Sequence, residues 1–192
     1  GHPFPAKPPP PASVSRRAAA LPRPPLHILV LAAPRAERYC ARRMGIELRE
    51  LSSGKKVLKD FLNVVDVIYA GDQSYVRPLD FDVSDRLNKK KNPFFEHAEA
   101  TGWVAYRDGK PVGRITAQVD RLHLERHKDD AGFFGFFDTI DDAEVAQRLL
   151  DEAASWAKGR GMKRLRGPFS LNINEECGCL VEGFDAPPSV MM

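Results

Sequence analysis

The sequence predicts an α+β fold, and three observations support this prediction. The chain has 192 residues, of which 43% are hydrophobic and 29% charged, and this is the length and composition of a single globular domain. In some segments of the chain the apolar residues recur every two residues, which is typical of strands. In others they recur about every 3.6 residues, which is typical of helices. The resulting order is strand, helix, loop, three strands, helix and strand. Two of the strands flank an Asp-Gly dipeptide, which is typical of an antiparallel hairpin.

The first strand and the first helix have clear local signals. Residues 45–51, GIELREL, alternate in polarity as a half-buried strand does. Ser52 or Ser53 is expected to cap the helix KKVLKDFLNVVDVIYAG, which has apolar residues at helical spacing and a stop at Gly71. Residues 72–92 are polar and are expected to be turn-like.

The strongest local signal is the segment TGWVAYRDGKPVGRITAQVD. Its two alternating halves flank Asp108-Gly109, a dipeptide suited to the positive φ angles of a type I′ turn. We therefore predict two antiparallel strands over residues 102–107 and 111–119. The run GFFGFFD, with four phenylalanines, predicts a buried strand after a charged stretch. Trp103 and Trp156 are expected in the core.

A second amphipathic helix follows the phenylalanine run. Asp141 is the expected N-cap, because Glu144 stands three residues later in the capping-box position. Gly159 or Gly161 is expected to end this helix. Residues 163–169, KRLRGPF, then predict a last strand, in which a proline is tolerated at an edge, an end or a bulge.

Charge and proline divide the chain into two regions. Residues 1–43 contain eight Lys or Arg, one acid and ten of the 16 prolines, and are expected to be a disordered leader or upstream translation. Residues 44–192 carry a small excess of acids, which argues against nucleic-acid binding. The chain ends in an apolar, turn-rich segment, so we expect the second region to be the N-terminal part of a longer domain. A sheet cut there would expose an edge, and self-association is then expected.

Membrane spans, disulfides and metals are not expected. The longest apolar run, residues 26–33, has eight residues, whereas a membrane helix needs about 20. We therefore expect no stable membrane insertion. The three cysteines form no disulfide framework, which is typical of a reducing compartment and points to the cytoplasm. Cys177 and Cys179 lack the second ligand pair of a zinc site, so no metal is expected.

Several strings carry a resemblance to a known family. KKNPFFEHAE, FFGFFDTIDD, RGPFSLNINEECGCLVEGFD and PPSVMM, together with the element order, resemble the GNAT superfamily of acyl-CoA N-acyltransferases, and more narrowly a group of long bacterial GNAT-like proteins. The resemblance covers residues 45–192. It implies a mixed, mostly antiparallel sheet that is flanked by helices and splayed by a cleft. It also implies acyl transfer from a thioester to an amine without a covalent intermediate.

The same resemblance implies where acyl-CoA or acetyl-CoA would bind as a co-substrate. The acyl thioester would enter beside the phenylalanine strand, and the pyrophosphate would lie at the start of the next helix. The residues concerned are Phe136, Phe137, Asp138, Asp141, Asp142 and Ala143. The superfamily loop is rich in glycine, but this chain has two carboxylates, and each repels a phosphate charge by about 1 kcal/mol at 4 Å in water. Either the cofactor docks differently, the donor is not free CoA, or the fold has lost the cofactor; the two aspartates would otherwise simply cap the helix.

Four residues are candidates for the chemistry of acyl transfer, which needs a base, an acid and a stabilised oxyanion. Asp138, as an unpaired carboxylate beside four phenylalanines at the cleft, is the first candidate base. Glu176 is the alternative base, and Asn174 is a candidate donor to the thioester. His97, between two glutamates, is a candidate general acid or substrate anchor. Each candidate also has a structural alternative. Asp138 would be a cap or turn residue, Glu176 and Asn174 would belong to a polar loop, and His97 would be a structural histidine at a helix end.

Two functions follow from these observations. The first is an N-acyltransferase that moves an acyl group from a thioester donor to a small amine or an amino-lipid. The second is a catalytically silent GNAT-fold module that binds a thioester, a lipid or a protein partner.

The pair His123 and His127, four residues apart on one helical face, has no third ligand nearby and is expected to be solvated.

Overall fold

The structure, a computed structural model, describes residues 45–179 and Glu182. The expectations for residues 1–43, and for a domain cut at residue 192, lie outside the described residues. Two short 3₁₀ turns, Leu51–Ser53 and Pro93–Glu96, accompany the following strands and α-helices. They are β1 (Ile46–Glu50), α1 (Lys55–Ile68), α2 (Asp80–Arg86), β2 (Ala98–Arg107), β3 (Lys110–Asp120), α3 (Arg121–His127), β4 (Ala131–Thr139), α4 (Ala143–Lys158) and β5 (Arg164–Arg166).

The five strands form one sheet in the order β1-β2-β3-β4-β5. The first three pairings are antiparallel, and β5 pairs parallel to β4. Because a parallel neighbour needs a crossover, α4 connects β4 to β5 across one face of the sheet. The predicted α+β class is therefore confirmed, with the mixed, mostly antiparallel sheet and flanking helices that the GNAT resemblance implies.

The hairpin of β2 and β3 lies inside the sheet, with β1 on one side and β4 and β5 on the other. Asp108 and Gly109 have φ angles of 51° and 75°, as the type I′ prediction requires. Both strands are longer than predicted because Ala98 and Asp120 remain paired at the far end. This hairpin provides the central strands on which both helical layers pack.

Helices cover both faces of the sheet. On one face, α1 and α2 contribute to a cluster of buried residues that comprises Val57, Phe61, Val83, Phe94, Ala98, Ala100, Val104, Tyr106, Phe136 and Leu171. On the other face, α4 and the strands form a second cluster, which comprises Trp103, Ala105, Val112, Ile115, Ala117, Val145, Leu149 and Ala153. Trp103 is in the core as predicted. Trp156 is half-buried instead, and the Arg160 guanidinium lies 3.5 Å above its ring.

Three local predictions were wrong. Gly54, at φ 134°, precedes α1 in place of a serine cap, and residues 51–53 form a 3₁₀ turn. The turn-like stretch of residues 72–92 contains α2. The N-cap of α4 is Asp142, whose carboxylate accepts hydrogen bonds from the N–H groups of Glu144 and Val145. The cap therefore lies one residue later than predicted, and Glu144 does not occupy the capping-box position.

Within residues 45–179, no helix combines the length and the apolar character that crossing a membrane requires.

Candidate functional site

A buried ion pair joins β3 and β4 on the α1 face of the sheet. Arg114 of β3 and Asp138 of β4 are direct cross-strand partners, and Arg114 Nε donates to Asp138 Oδ2 at 2.7 Å. The Arg114 side chain is 6% exposed and that of Asp138 is 16% exposed. The guanidinium also donates to the carbonyl of Phe61 at 3.0 Å. Asp138 is thus not the unpaired carboxylate that the sequence suggested.

A bulge in β4 places Asp138 in this position. Thr116 pairs with Gly135 and Arg114 pairs with Asp138, so two residues of β4 stand opposite Ile115 alone. Phe136, inside the bulge, has a φ of 43°, which a bulky residue rarely adopts. Because a bulge re-aims the following side chains, Asp138 and Phe136 both face α1. Such strain in a buried residue is typical of functional sites.

Tyrosines from the end of α1 complete the environment of Asp138. The Tyr69 hydroxyl donates to Asp138 Oδ1 at 2.6 Å. Tyr75 stacks on Tyr69, with ring centroids 3.9 Å apart and 11° between the planes. Both rings are half-buried. Both oxygens of the Asp138 carboxylate therefore have a donor, and the Tyr69 donor is itself stacked on Tyr75.

The environment favours the protonated form of both phenols. Burial raises the pKa of Tyr69, and the Asp138 carboxylate raises it further. Burial and then Asp138 also raise the pKa of Tyr75, with a smaller contribution from Glu176. Tyr69 is therefore a neutral hydroxyl whose proton is directed at a carboxylate. Its oxygen retains the capacity to accept a hydrogen bond from a substrate.

A second set of buried polar groups lies where the chain leaves β5. Gln118, with no exposed surface, donates to the carbonyls of Phe169 at 2.7 Å and Leu171 at 3.5 Å. The hydroxyl of Ser170 accepts a hydrogen bond from the Phe136 N–H at 3.4 Å. The ladder between β4 and β5 ends after three residue pairs. These bonds therefore hold the segment after β5 against the β4 bulge.

The predicted cofactor residues lie in two different environments. Phe136 is buried on the α1 face, where its ring meets that of Phe61 edge-on. Phe137 is half-buried on the α4 face and meets the ring of Phe134. Asp141 and Ala143 are exposed at the start of α4.

The first turn of α4 is occupied by the protein's own carboxylates. One oxygen of Asp142 accepts hydrogen bonds from the first-turn N–H groups described above. Its other oxygen accepts a hydrogen bond from Arg107 Nη1 at 2.5 Å. Glu144 lies 3.4 Å from the same guanidinium. These carboxylates use the donors and the cation that a pyrophosphate would need. The residues present at the α4 N-terminus thus do not fit the pyrophosphate of CoA.

The Asp142–Arg107 pair predicts a specific pH dependence of stability. The hydrogen bond from Arg107 lowers the pKa of Asp142, so the folded state binds this proton more weakly than the unfolded state does. The stabilisation is complete above the unfolded pKa of about 3.9 and is lost as pH falls through the lower folded pKa. Urea unfolding should show a shallower loss of stability below about pH 4 for Asp142→Asn than for the wild type. Asp141→Asn is the charge-matched control, and identical acid profiles for wild type and Asp142→Asn would refute the assignment.

The polar loop after β5 contains the candidates Glu176 and Asn174, and Glu176 lies next to an arginine of α2. Arg86 Nη1 lies 3.4 Å from Glu176 Oε1, and the Glu176 side chain is 60% exposed. The Asn174 N–H donates to the side chain of Asn172, and Asn174 is exposed. Glu175, which was not among the chosen candidates, has a buried Oε2 that makes no hydrogen bond among the described residues and lies 3.8 Å from Arg86 Nη1. Burial raises the pKa of Glu175.

His97 lies away from these groups. Its Nδ1 is 2.9 Å from Asp120 Oδ1, so its partner is not one of the neighbouring glutamates that the sequence suggested. His97 directly precedes β2, whereas Arg114 pairs with Val104 of the same strand. Seven residues of strand span roughly 20 Å. Since Asp120 also caps α3, the His97–Asp120 pair fastens the far end of the hairpin.

The two histidines of α3 form a separate cluster. Their rings stack with centroids 4.5 Å apart, and His123 Nε2 lies 3.1 Å from Asp129 Oδ1. Asp129 also accepts a hydrogen bond from Arg166 at 2.6 Å. His123 is thus held by an ion-paired carboxylate, and this pairing fastens α3 to β5.

Comparisons with known proteins give two similar curated sequences. No protein-family model matches the chain. Protein YghO of Escherichia coli K12 is 45% identical over 138 residues, which are 72% of this chain and 35% of that protein. A protein named bacterial ceramide synthase, from Caulobacter vibrioides, is 42% identical over 136 residues, which are 70% of this chain and 35% of that protein. The chain thus spans about a third of the length of these relatives.

Solved structures of similar shape include a tandem GNAT protein from the clavulanic acid biosynthesis pathway. Its TM-score is 0.48 at 13% sequence identity, and the match covers 64% of this chain and 34% of that one.

Proposed function

We propose that the protein is an N-acyltransferase that moves an acyl group from a thioester donor to an amine. The observation that carries this proposal is the Tyr69–Asp138–Arg114 network at the β4 bulge. It combines a neutral hydroxyl, a carboxylate that accepts its proton and a cation that holds this carboxylate in place. Proton removal from an attacking amine requires an acceptor of this kind.

The proposed reaction balances without a covalent intermediate on the protein. The amine nitrogen attacks the thioester carbonyl, so that a C–N bond forms and the C–S bond then breaks. The amine proton passes to the Tyr69 oxygen while the Tyr69 proton moves to Asp138, and the departing thiolate receives a proton through the same pair. Glu176, on the Tyr75 side of the site, remains the alternative base.

We further propose that the acceptor is an amino-lipid. Supporting this class is the 42% identity to the protein named bacterial ceramide synthase, since a ceramide is an amide of a long-chain amine. The donor is proposed to be an acyl thioester, with acyl-CoA or acetyl-CoA as the expected form. The occupied α4 N-terminus requires that such a donor be held by groups other than that helix end.

One observation favours the second candidate, a silent binding module. The Asp142–Arg107 and Glu144–Arg107 pairs fill the place where the GNAT resemblance implies pyrophosphate binding. A fold that has lost its donor would retain the buried network only for stability. Turnover by the folded protein separates the two candidates.

Substitution of Tyr69 by phenylalanine tests the proposed function. This variant removes the hydroxyl and keeps the Arg114–Asp138 pair, so kcat for acyl transfer by the full-length protein should fall about a hundredfold. Tyr75→Phe removes a hydroxyl from the adjacent ring and should retain activity within about threefold, since general acid–base effects require a positioned proton. Equal kcat values for the two variants, with both folded, would contradict the role of Tyr69.

A further inference from the structure

The connection between α1 and α2 exposes three large apolar side chains within six residues. Val76 is 73% exposed, Leu79 is 64% exposed and Phe81, in the first turn of α2, is 67% exposed. We call these three residues the apolar tip. Scattered apolar residues on a surface are ordinary, whereas a local group of large ones marks a contact surface.

Two arginines at and after this connection make ion pairs that hold it in place. Arg77 donates to Asp66 at 3.0 Å, to Asn63 at 3.0 Å and to Asp80 at 2.6 Å. Arg86 pairs with Asp82 at 2.7 Å. Arg77 therefore fastens the connection to α1 and is shared by two carboxylates, while the apolar side chains are exposed.

The apolar tip is close in sequence to the candidate site. Tyr75, which directly precedes Val76, stacks on Tyr69, and Tyr69 donates to Asp138. A surface bound at the tip would thus be brought next to the residues that we assign to proton transfer.

We propose that the apolar tip docks on a lipid surface that carries the amine acceptor; this inference rests on the proposed function. Large apolar side chains that project from a turn insert among lipid headgroups and acyl chains. Arg77 is the sole basic residue between positions 72 and 84 and is ion-paired. The attraction is therefore apolar, and a zwitterionic surface suits it better than an anionic one.

Vesicle binding by the full-length protein tests this inference. The wild type should sediment with phosphatidylcholine vesicles, and adding about 0.5 M salt should not weaken binding because the proposed attraction is apolar and is not screened by ions. The variant Val76→Ser/Leu79→Ser/Phe81→Ser should bind at least about tenfold more weakly. Leu122→Ser is the matched control, since Leu122 is 53% exposed on α3, and it should bind like the wild type.

Three results would overturn the docking proposal. They are a wild type that does not bind these vesicles, a triple variant that binds as well as the wild type, and binding that requires anionic lipid. A wild type that self-associates through the tip, with a monomeric triple variant and no vesicle binding, would assign the tip to a second copy instead.

Acylation of a short-chain, water-soluble amine separates this proposal from the proposed function. The triple variant should acylate that amine at the wild-type rate and lose activity on vesicle-bound amine. Tip-dependent vesicle binding without acylation of any amine would refute the proposed function and leave the docking surface standing.

Discussion

Replacing Arg114 with methionine is expected to destabilise the protein by about 3–5 kcal/mol, the usual cost of removing one partner of a buried ion pair. Methionine fills much of the space between Phe61 and Phe136, whose ring centroids lie 5.0 and 5.6 Å from the guanidinium carbon. The Asp138 carboxylate would lose its cation while remaining 16% exposed. Urea unfolding at neutral pH measures the loss directly.

A double-mutant cycle isolates the Arg114–Asp138 pair. The variant Arg114→Met/Asp138→Asn removes both charges, so it should be more stable than Arg114→Met alone. Arg107→Met, which breaks a pair that is about a third exposed on the arginine side, is the control and should cost far less. Equal losses in the free energy of unfolding for Arg107→Met and Arg114→Met would show that the buried pair is not a principal stabilising contact.

Alanine at Gly135 is expected to cost about 3 kcal/mol or more, at the upper end of overpacking effects. A Cβ at this position would lie 1.8 Å from the carbonyl oxygen of Phe169 and 2.8 Å from the Ser170 Cα. Both are backbone atoms that Gln118 and Ser170 hold against the bulge. Relief therefore requires the segment after β5 to move away from β4.

Gly132→Ala provides a control within the same strand. Its Cβ would meet the Ala157 side chain at 3.2 Å and the Met162 side chain at 3.3 Å, so small adjustments suffice. Alanine in a strand also reduces the entropy of the unfolded chain. Thermal unfolding should therefore show a large loss for Gly135→Ala and a small change for Gly132→Ala. Similar melting temperatures for the two variants would contradict the close approach at Gly135.

The sequence predicted those elements whose signals are local. Asp108-Gly109 specifies its own turn, and the apolar spacing of α4 is visible in any window of its sequence. The α4 cap was misplaced by one residue because adjacent aspartates offer equivalent caps, and Arg107, which pairs with Asp142, comes from another strand. The helix α2 was missed because it has seven residues and its N-cap, Leu79, has no capping side chain. Short helices form through packing rather than propensity.

The site was less accessible to sequence reasoning because its contacts are non-local. Asp138 was a candidate because of its place at the end of the phenylalanine strand, but its hydrogen-bond partner Tyr69 is 69 positions away. The bulge that aligns Asp138 with Arg114 depends on the register of two strands. Arg114 and Gln118 lie on the polar side of the regular alternation of β3, and only the fold shows that this side is buried as well. A charged residue and an amide on an otherwise buried strand predict buried partners.

The most direct test of acyl transfer is detection of the amide product by mass spectrometry. Full-length protein would be incubated with a long-chain acyl thioester and a long-chain amino alcohol in phosphatidylcholine vesicles. We predict a product whose mass equals that of the amine plus the acyl group less one hydrogen, formed with release of the free thiol and reduced about a hundredfold by Tyr69→Phe. Folded wild-type protein that forms no amide from any acyl thioester would contradict acyl transfer and assign the chain to a silent GNAT-like module.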